Sequence, residues 1–161
     1  ALSKEKMKKI NLKLIARSVV DDFNNIYEAK RGIQIMLNDQ DDQEEYFING
    51  IENRIEQIIA NLLDNSISFS EDNKKILVEI YKGDKDKIIL KVIDDGKGFI
   101  EIDTKKIFDR FYTNRPDTFG EHSGLGLNIV KNLVDLHSAT INASNNITQK
   151  GANVEIVFPK V

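Results

Sequence analysis

Four short stretches of this chain combine residue types and spacings that could hold a phosphorylated ligand. In Asn61-Leu62-Leu63-Asp64-Asn65 the asparagines are four residues apart, so on a helix both amides project from one face. An amide oxygen is a hard, neutral ligand suited to Mg²⁺ that already carries phosphate oxygens and waters. Taken alone, such a pair is more often two solvated side chains. In Asp94-Asp95-Gly96-Lys97-Gly98 a carboxylate at a strand end can accept a hydrogen bond from an exocyclic amine such as adenine N6, and the glycines let backbone approach a ligand. The plain alternative is a turn, because Asp-Gly favours one. In Ser123-Gly124-Leu125-Gly126-Leu127-Asn128 glycines open a helix whose unpaired N–H groups can bind phosphate. Capping by Ser123 would explain the serine equally well. In Ile107-Phe108-Asp109-Arg110-Phe111-Tyr112 the aromatic rings can anchor a lid while Arg110 reaches a phosphate. A short core helix with a surface arginine is the simpler account. No dinucleotide fingerprint or Walker loop is present: the third glycine is missing, and no Gly-Lys-Ser/Thr occurs.

Hydrophobic periodicity supplies the elements that must position these stretches. Helical spacing predicts helices over 14–29 and 53–69, with Gly32 as a stop signal, and a third from just after Gly124 to about Leu136. Short strands are expected at 8–12 and 46–48, with an alternating strand at 33–37. Alternation at 76–80 and 88–92 around Gly83-Asp84-Lys85-Asp86 predicts a hairpin. Two last strands fall at 140–144 and 154–158, a short helix at about 105–111, and a polar stretch at 115–123. Three helices with a mixed, largely antiparallel sheet define an α+β two-layer sandwich, one sheet face covered by the helices.

Composition narrows the function. At 161 residues the chain fits a single domain. The net charge of -3 gives no basic field for nucleic acid, so no nucleic-acid partner is expected. With no Cys, disulfides, thiolate zinc sites and thiol nucleophiles are excluded together. The two histidines, His122 and His137, are far apart in sequence, which argues against zinc; His137, at a helix end, reads as structural. The start at Ala1 on a charged stretch suggests a piece excised from a longer protein.

In order and register, N-L-L-D-N, D-D-G-K-G-F, I-F-D-R-F-Y and S-G-L-G-L-N-I-V across Asn61–Val130 resemble the N, G1, F and G2 boxes of the sensor histidine kinase catalytic domain, within the wider GHKL superfamily. Arg54-Ile55-Glu56-Gln57-Ile58 matches the usual approach to the N box, and Gly151 stands in the place of a third glycine box. The resemblance covers nearly the whole chain and implies a Bergerat-type ATP-binding fold. It implies Mg²⁺ held by Asn65 with Asn61 beside the metal and phosphates as the catalytic position. It also implies adenine bound by Asp94 near Gly96 and Gly98, with Phe69 packing on the purine. Phe108, Arg110 and Tyr112 would flank the nucleotide, 113–123 would form the lid, and Ser123, Gly124, Leu125, Gly126 and Leu127 would line the phosphates. Three positions depart from the pattern. Ser68 stands where Lys or Arg commonly touches phosphate, a contact that Lys97 or Arg115 could replace. His122 stands where many members have the first G2 glycine, and Ser138 replaces a frequent turn glycine.

The implied cofactors are ATP and Mg²⁺, and the implied reaction is γ-phosphoryl transfer to a histidine on a separate dimerisation domain. Neither His122 nor His137 has the sequence context of that acceptor. The implied partners are that domain and, downstream, a response regulator receiver domain. The chain itself is expected to be monomeric and cytoplasmic, with its longer parent anchored in the inner membrane. Two rivals stand beside this reading. One is a degenerate nucleotide-binding module that signals without kinase activity, which Ser68 favours. The other is a mechanical ATPase of the same superfamily, opposed by Asn61 in place of an acidic base and by the Ile-Phe-Asp-Arg-Phe stretch.

Overall fold

A computed structural model of the chain describes residues 6–39, 45–98, 108, 125–146 and 150–161. Strand β1 (Lys8–Asn11) runs directly into helix α1 (Leu12–Arg31), because the Asn11 side chain caps the helix by accepting from the Lys13 N–H at 3.1 Å. The helix ends in a Schellman motif. Gly32, at φ +66°, donates to the Glu28 carbonyl and Ile33 donates to the Tyr27 carbonyl, so the stop signal read in the sequence is a left-handed cap. Strands β2 (Gln34–Asn38) and β3 (Phe47–Gly50) follow, then α2 (Glu52–Phe69), the hairpin β4 (Lys75–Lys82) and β5 (Ile88–Ile93), α3 (Leu125–Leu136), β6 (Thr140–Asn145) and β7 (Ala152–Phe158).

The main sheet has the order β2-β4-β5-β7-β6. Only β2–β4 is parallel; the β4–β5, β5–β7 and β6–β7 pairs are antiparallel. Strands β1 and β3 form a separate antiparallel pair rather than extending this sheet. Cross-strand register puts Val78, Val92, Val154 and Ala143 in one row, and Ile80, Leu90, Ile156 and Ile141 in the next. These rows form the inner face, where α1 lies against β2, α2 against β5 and α3 against β6. The helices close the core with a continuous apolar stripe of α2: Ile55, Ile58, Ile59, Leu62, Leu63 and Ile67, all buried. The opposite face carries a charged row, Glu79-Lys91-Glu155. There the Lys91 ammonium is held above its ordinary pKa by hydrogen bonding to Tyr81, with Glu155 and Glu79 adding to the effect. Among the described residues no helix is long and apolar enough to cross a membrane.

Helix α2 has no side-chain N-cap of its own. The cap comes from far along the chain: the Ile51 N–H donates to His137 Nε2 at 3.1 Å, while His137 Nδ1 lies 2.7 Å from the Leu133 carbonyl. Since the carbonyl can only accept and the N–H can only donate, the ring is neutral with its proton on Nδ1. His137 is thus a buried tie between α2 and α3, in keeping with its reading as structural. At the other end of α2 the Arg31 guanidinium donates to the carbonyls of Ile67 (2.7 Å) and Ser70 (2.6 Å) and pairs with Asp72. The two ends of the helix are therefore fixed by its two neighbours.

Ser138 sits at φ +55° just past α3, in the left-handed region that an L side chain enters at a cost. Ser138→Gly is expected to raise unfolding stability by about 0.5–1 kcal/mol in chemical denaturation, the Cβ strain outweighing the added chain entropy.

Candidate functional site

The end of β5 carries the pleat into the turn that follows it. Val92, Asp94, Gly96 and Gly98 are buried, Ile93 and Asp95 half-buried, and Lys97 exposed. Alternation thus sends Asp94 to the helical side of the sheet and Asp95 to the other side. The two neighbouring carboxylates also differ in their partners. Asp94 is only 2% exposed, and its Oδ1 accepts from the Gly96 N–H at 3.0 Å and the Ala152 N–H at 3.1 Å. Asp95 Oδ1 is buried and meets no hydrogen-bond partner among the described residues. A buried carboxylate without donors is costly, so the paired Asp94 is the one the fold has prepared as an acceptor.

Helix α2 reaches this turn with its last residues. A Cβ on Gly96 would lie 2.5 Å from the Phe69 carbonyl oxygen, so glycine permits the turn to pack directly on the helix end. One and two turns back, Asn65 and Asn61 are half-buried on the polar side of α2, opposite its buried stripe. Phe69 is half-buried at the junction. Ser68 donates its hydroxyl to the Asp64 carbonyl at 2.7 Å, a bond back to its own helix that cannot replace a cationic side chain. Helix α3 packs along α2. Leu127 is buried and faces the core, whereas Gly126 is exposed and a Cβ there would meet no described atom within 4 Å. Phe108 is 7% exposed and joins the core, and its carbonyl accepts from Asn128 Nδ2 at 3.3 Å. That bond ties Phe108 to the start of α3.

The structure therefore sets Phe69, at the end of α2, against Gly96 in the β5 turn that also holds Asp94 and Gly98, with Asn65 and Asn61 one and two turns back along the same helix. Leu125 opens α3, and nothing is described of its side chain. Arg110, Tyr112, Ser123 and Gly124 lie outside the described residues, as do Arg115, His122, the 113–123 stretch and the rest of the short helix expected at 105–111. Lys97, considered as a substitute phosphate contact, alternates with Asp95 rather than with Asp94. The residues present suit a purine nucleotide and a hard cation. They offer a buried acceptor set by two N–H groups, a glycine turn with no side-chain bulk, and amide oxygens on the adjoining helix.

The model of the histidine kinase-, DNA gyrase B- and HSP90-like ATPase family matches residues 50–161, from the end of β3 to the last residue. The sensor protein ChvG of Agrobacterium fabrum is 34% identical over 148 residues, 88% of this chain and 25% of that protein. The sensor protein kinase PmrB of Pseudomonas aeruginosa is 28% identical over 156 residues, 97% of this chain and 31% of that protein. The chain thus spans a quarter to a third of the length of these relatives. Among solved structures, the nucleotide-free catalytic domain of the histidine kinase ThkA superposes with a TM-score of 0.80 at 26% identity, covering 96% of this chain and 98% of that one. A helical layer over a mixed sheet, with a carboxylate and glycines at one strand end, defines a class of ATP-binding domain. This chain belongs to the histidine kinase-, DNA gyrase B- and HSP90-like ATPase family, as an ATP-binding catalytic domain of the sensor-kinase type.

Gly96→Ala is expected to push the turn away from the Phe69 carbonyl. It should cost about 1–3 kcal/mol of unfolding free energy, the usual range for added bulk in a packed site, as read by thermal or denaturant melts.

Proposed function

We propose that this domain positions Mg-ATP so that its γ-phosphoryl group passes to a histidine on a separate dimerisation domain, and that the phosphate then moves to a response regulator receiver domain. In the transfer, the bond between the γ-phosphorus and its bridging oxygen breaks, a phosphorus–nitrogen bond forms on the imidazole, and ADP leaves. Chemistry of this kind rests on alignment and on neutralising charge at the γ-phosphate more than on covalent participation by the protein. When bound, Mg²⁺ supplies that charge neutralisation.

The chain's own residues divide the remaining work. Asp94 accepts a hydrogen bond from the purine amine, the turn at Gly96 and Gly98 admits the ring, and Phe69 packs beside it. The Asn65 amide oxygen ligates the metal, with Asn61 next to the metal and phosphates. The start of α3 at Gly124–Leu127, together with Ser123, offers N–H groups to the triphosphate. Phe108 anchors the segment from which Arg110 and Tyr112 reach the nucleotide. The observation that carries this reading is the buried Asp94 carboxylate, aimed from the β5 end and fixed by two backbone donors beside the helix bearing Asn65. The sensor-kinase names of the relatives support the transfer step.

The protein is expected to label the dimerisation helices of its own parent when mixed with them and γ-³²P-ATP. Asn65→Ala should abolish the labelling, and Asp94→Ala should weaken ATP binding roughly ten- to hundredfold in calorimetry, the equivalent of a charge-assisted hydrogen bond. ATP binding without any acid-labile label on the helices would refute the transfer step.

A further inference from the structure

The backbone of Asp94 is held as closely as its side chain, and by a part of the chain outside the four motifs. Its N–H donates to the Ala152 carbonyl at 3.0 Å. Its own carbonyl accepts from the side-chain amide of Asn146 at 2.8 Å. The same Asn146 amide donates to the Lys150 carbonyl at 3.1 Å, and the Asn146 N–H donates to the Gly151 carbonyl at 2.9 Å. Asn146 thus closes the β6–β7 connection on itself and bonds that connection to the β5 turn. Directly beneath, Gly151 (φ +117°) lies so close to Asp94 that a Cβ would fall within 1.9 Å of its carbonyl oxygen. One residue earlier, Asn145 abuts Gly98, where a Cβ would come 2.5 Å from the Asn145 side-chain oxygen. The β5 turn is therefore pressed flat on Asn145 and Gly151, at the two ends of the β6–β7 connection, and the Asn146 amide donates to the Asp94 carbonyl.

We infer that Asn146 is a positioning residue for purine selectivity: it fixes the peptide plane after Asp94 and so sets the direction in which the carboxylate meets the ligand. The inference rests on the proposal that Asp94 receives the adenine amine. The Gly96 N–H that orients the Asp94 carboxylate belongs to the next peptide along from the one that Asn146 holds. If that peptide rotates, the Gly96 N–H moves with it, and the carboxylate keeps only the Ala152 N–H of the two backbone donors that aim Oδ1. Asn146 touches no ligand in this scheme; its effect passes entirely through Asp94. The consequence is specific. Loss of Asn146 weakens ligands that carry the 6-amino group and spares those that lack it.

The test compares ATP with inosine triphosphate, which has a carbonyl where ATP has the amine, by calorimetry on the wild-type domain and on Asn146→Ala, Asn146→Ser and Asp94→Ala. Wild type is expected to favour ATP over inosine triphosphate by roughly tenfold or more. Asn146→Ala should weaken ATP by roughly three- to tenfold, the range of one lost hydrogen bond, with inosine triphosphate unchanged, so that the ratio falls. A role confined to holding the loop together would weaken both nucleotides equally and leave the ratio intact; that result, or no change in either, overturns the inference. Asn146→Ser, smaller but still polar, serves if the alanine variant does not fold, and the same ratio decides. If Asp94→Ala binds ATP as wild type does, or wild type does not discriminate, the assignment of Asp94 to the amine fails and the inference falls with it. Discrimination lost in Asp94→Ala but kept in both Asn146 variants rejects Asn146 alone.

Discussion

A carboxylate almost wholly removed from water is the constraint on which this structure turns. An isolated ionised carboxylate in a protein interior is strongly disfavoured unless donors surround it. Two backbone N–H groups meet that demand at Asp94 Oδ1, from Gly96 on its own turn and Ala152 on the neighbouring strand. The requirement propagates outward. It needs β7 beside β5, which the antiparallel register from Ile88↔Phe158 to Ile93↔Asn153 provides. It needs a glycine at 96, where the turn meets the Phe69 carbonyl, and a glycine at 151, where the next strand passes under Asp94.

The helical layer meets the same turn from the other side. Helix α2 is seated by its isoleucine and leucine stripe, but its axial position is set at its ends by partners on α3 and α1. His137 fills the place of an N-terminal cap, and Arg31 gathers the carbonyls at the C-terminus. The orphan backbone groups of a helix end must be satisfied somewhere, and here their satisfaction also locks the spacing between the Asn61–Asn65 face and the β5 turn. A shift of α2 along its axis would break bonds at both ends at once. The position of Asn65 relative to Asp94 is thereby a property of the whole three-helix layer.

Much of this was legible in the sequence because it is local. Alternation located β4 and β5, and it continued through Asp94, so the two carboxylates of the turn fell on opposite faces. The Gly32 stop signal became the left-handed residue of a Schellman cap, and helical periodicity found α1 and α2 to within two residues at each end. Asn11 caps α1, so the helix starts at Leu12, two residues before the 14 that apolar periodicity alone predicts. Long-range pairing was not legible. Nothing local says that β1 pairs with β3 outside the main sheet, that β2 lies parallel to β4, or that α2 takes its cap from a histidine 86 residues away. The same holds for Asn146: an asparagine before a turn carries no local signal, and only the fold lays it against Asp94. Ser68 stands in the sequence where a cation is expected, and the structure adds that its hydroxyl is bonded to the helix backbone.

The central claim is that one ligand spans the β5 turn, the polar face of α2 and the start of α3. The most direct measurement is a titration of the isotopically labelled domain with Mg²⁺ and a non-hydrolysable ATP analogue, followed through its backbone amide resonances. The account predicts the largest shifts at Gly96, Gly98 and Ala152, at residues 61–69 and at 124–127, with the outer sheet row of Glu79, Lys91 and Glu155 left in place. Shifts confined to that outer row, or none at the β5 turn at saturating nucleotide, would contradict it.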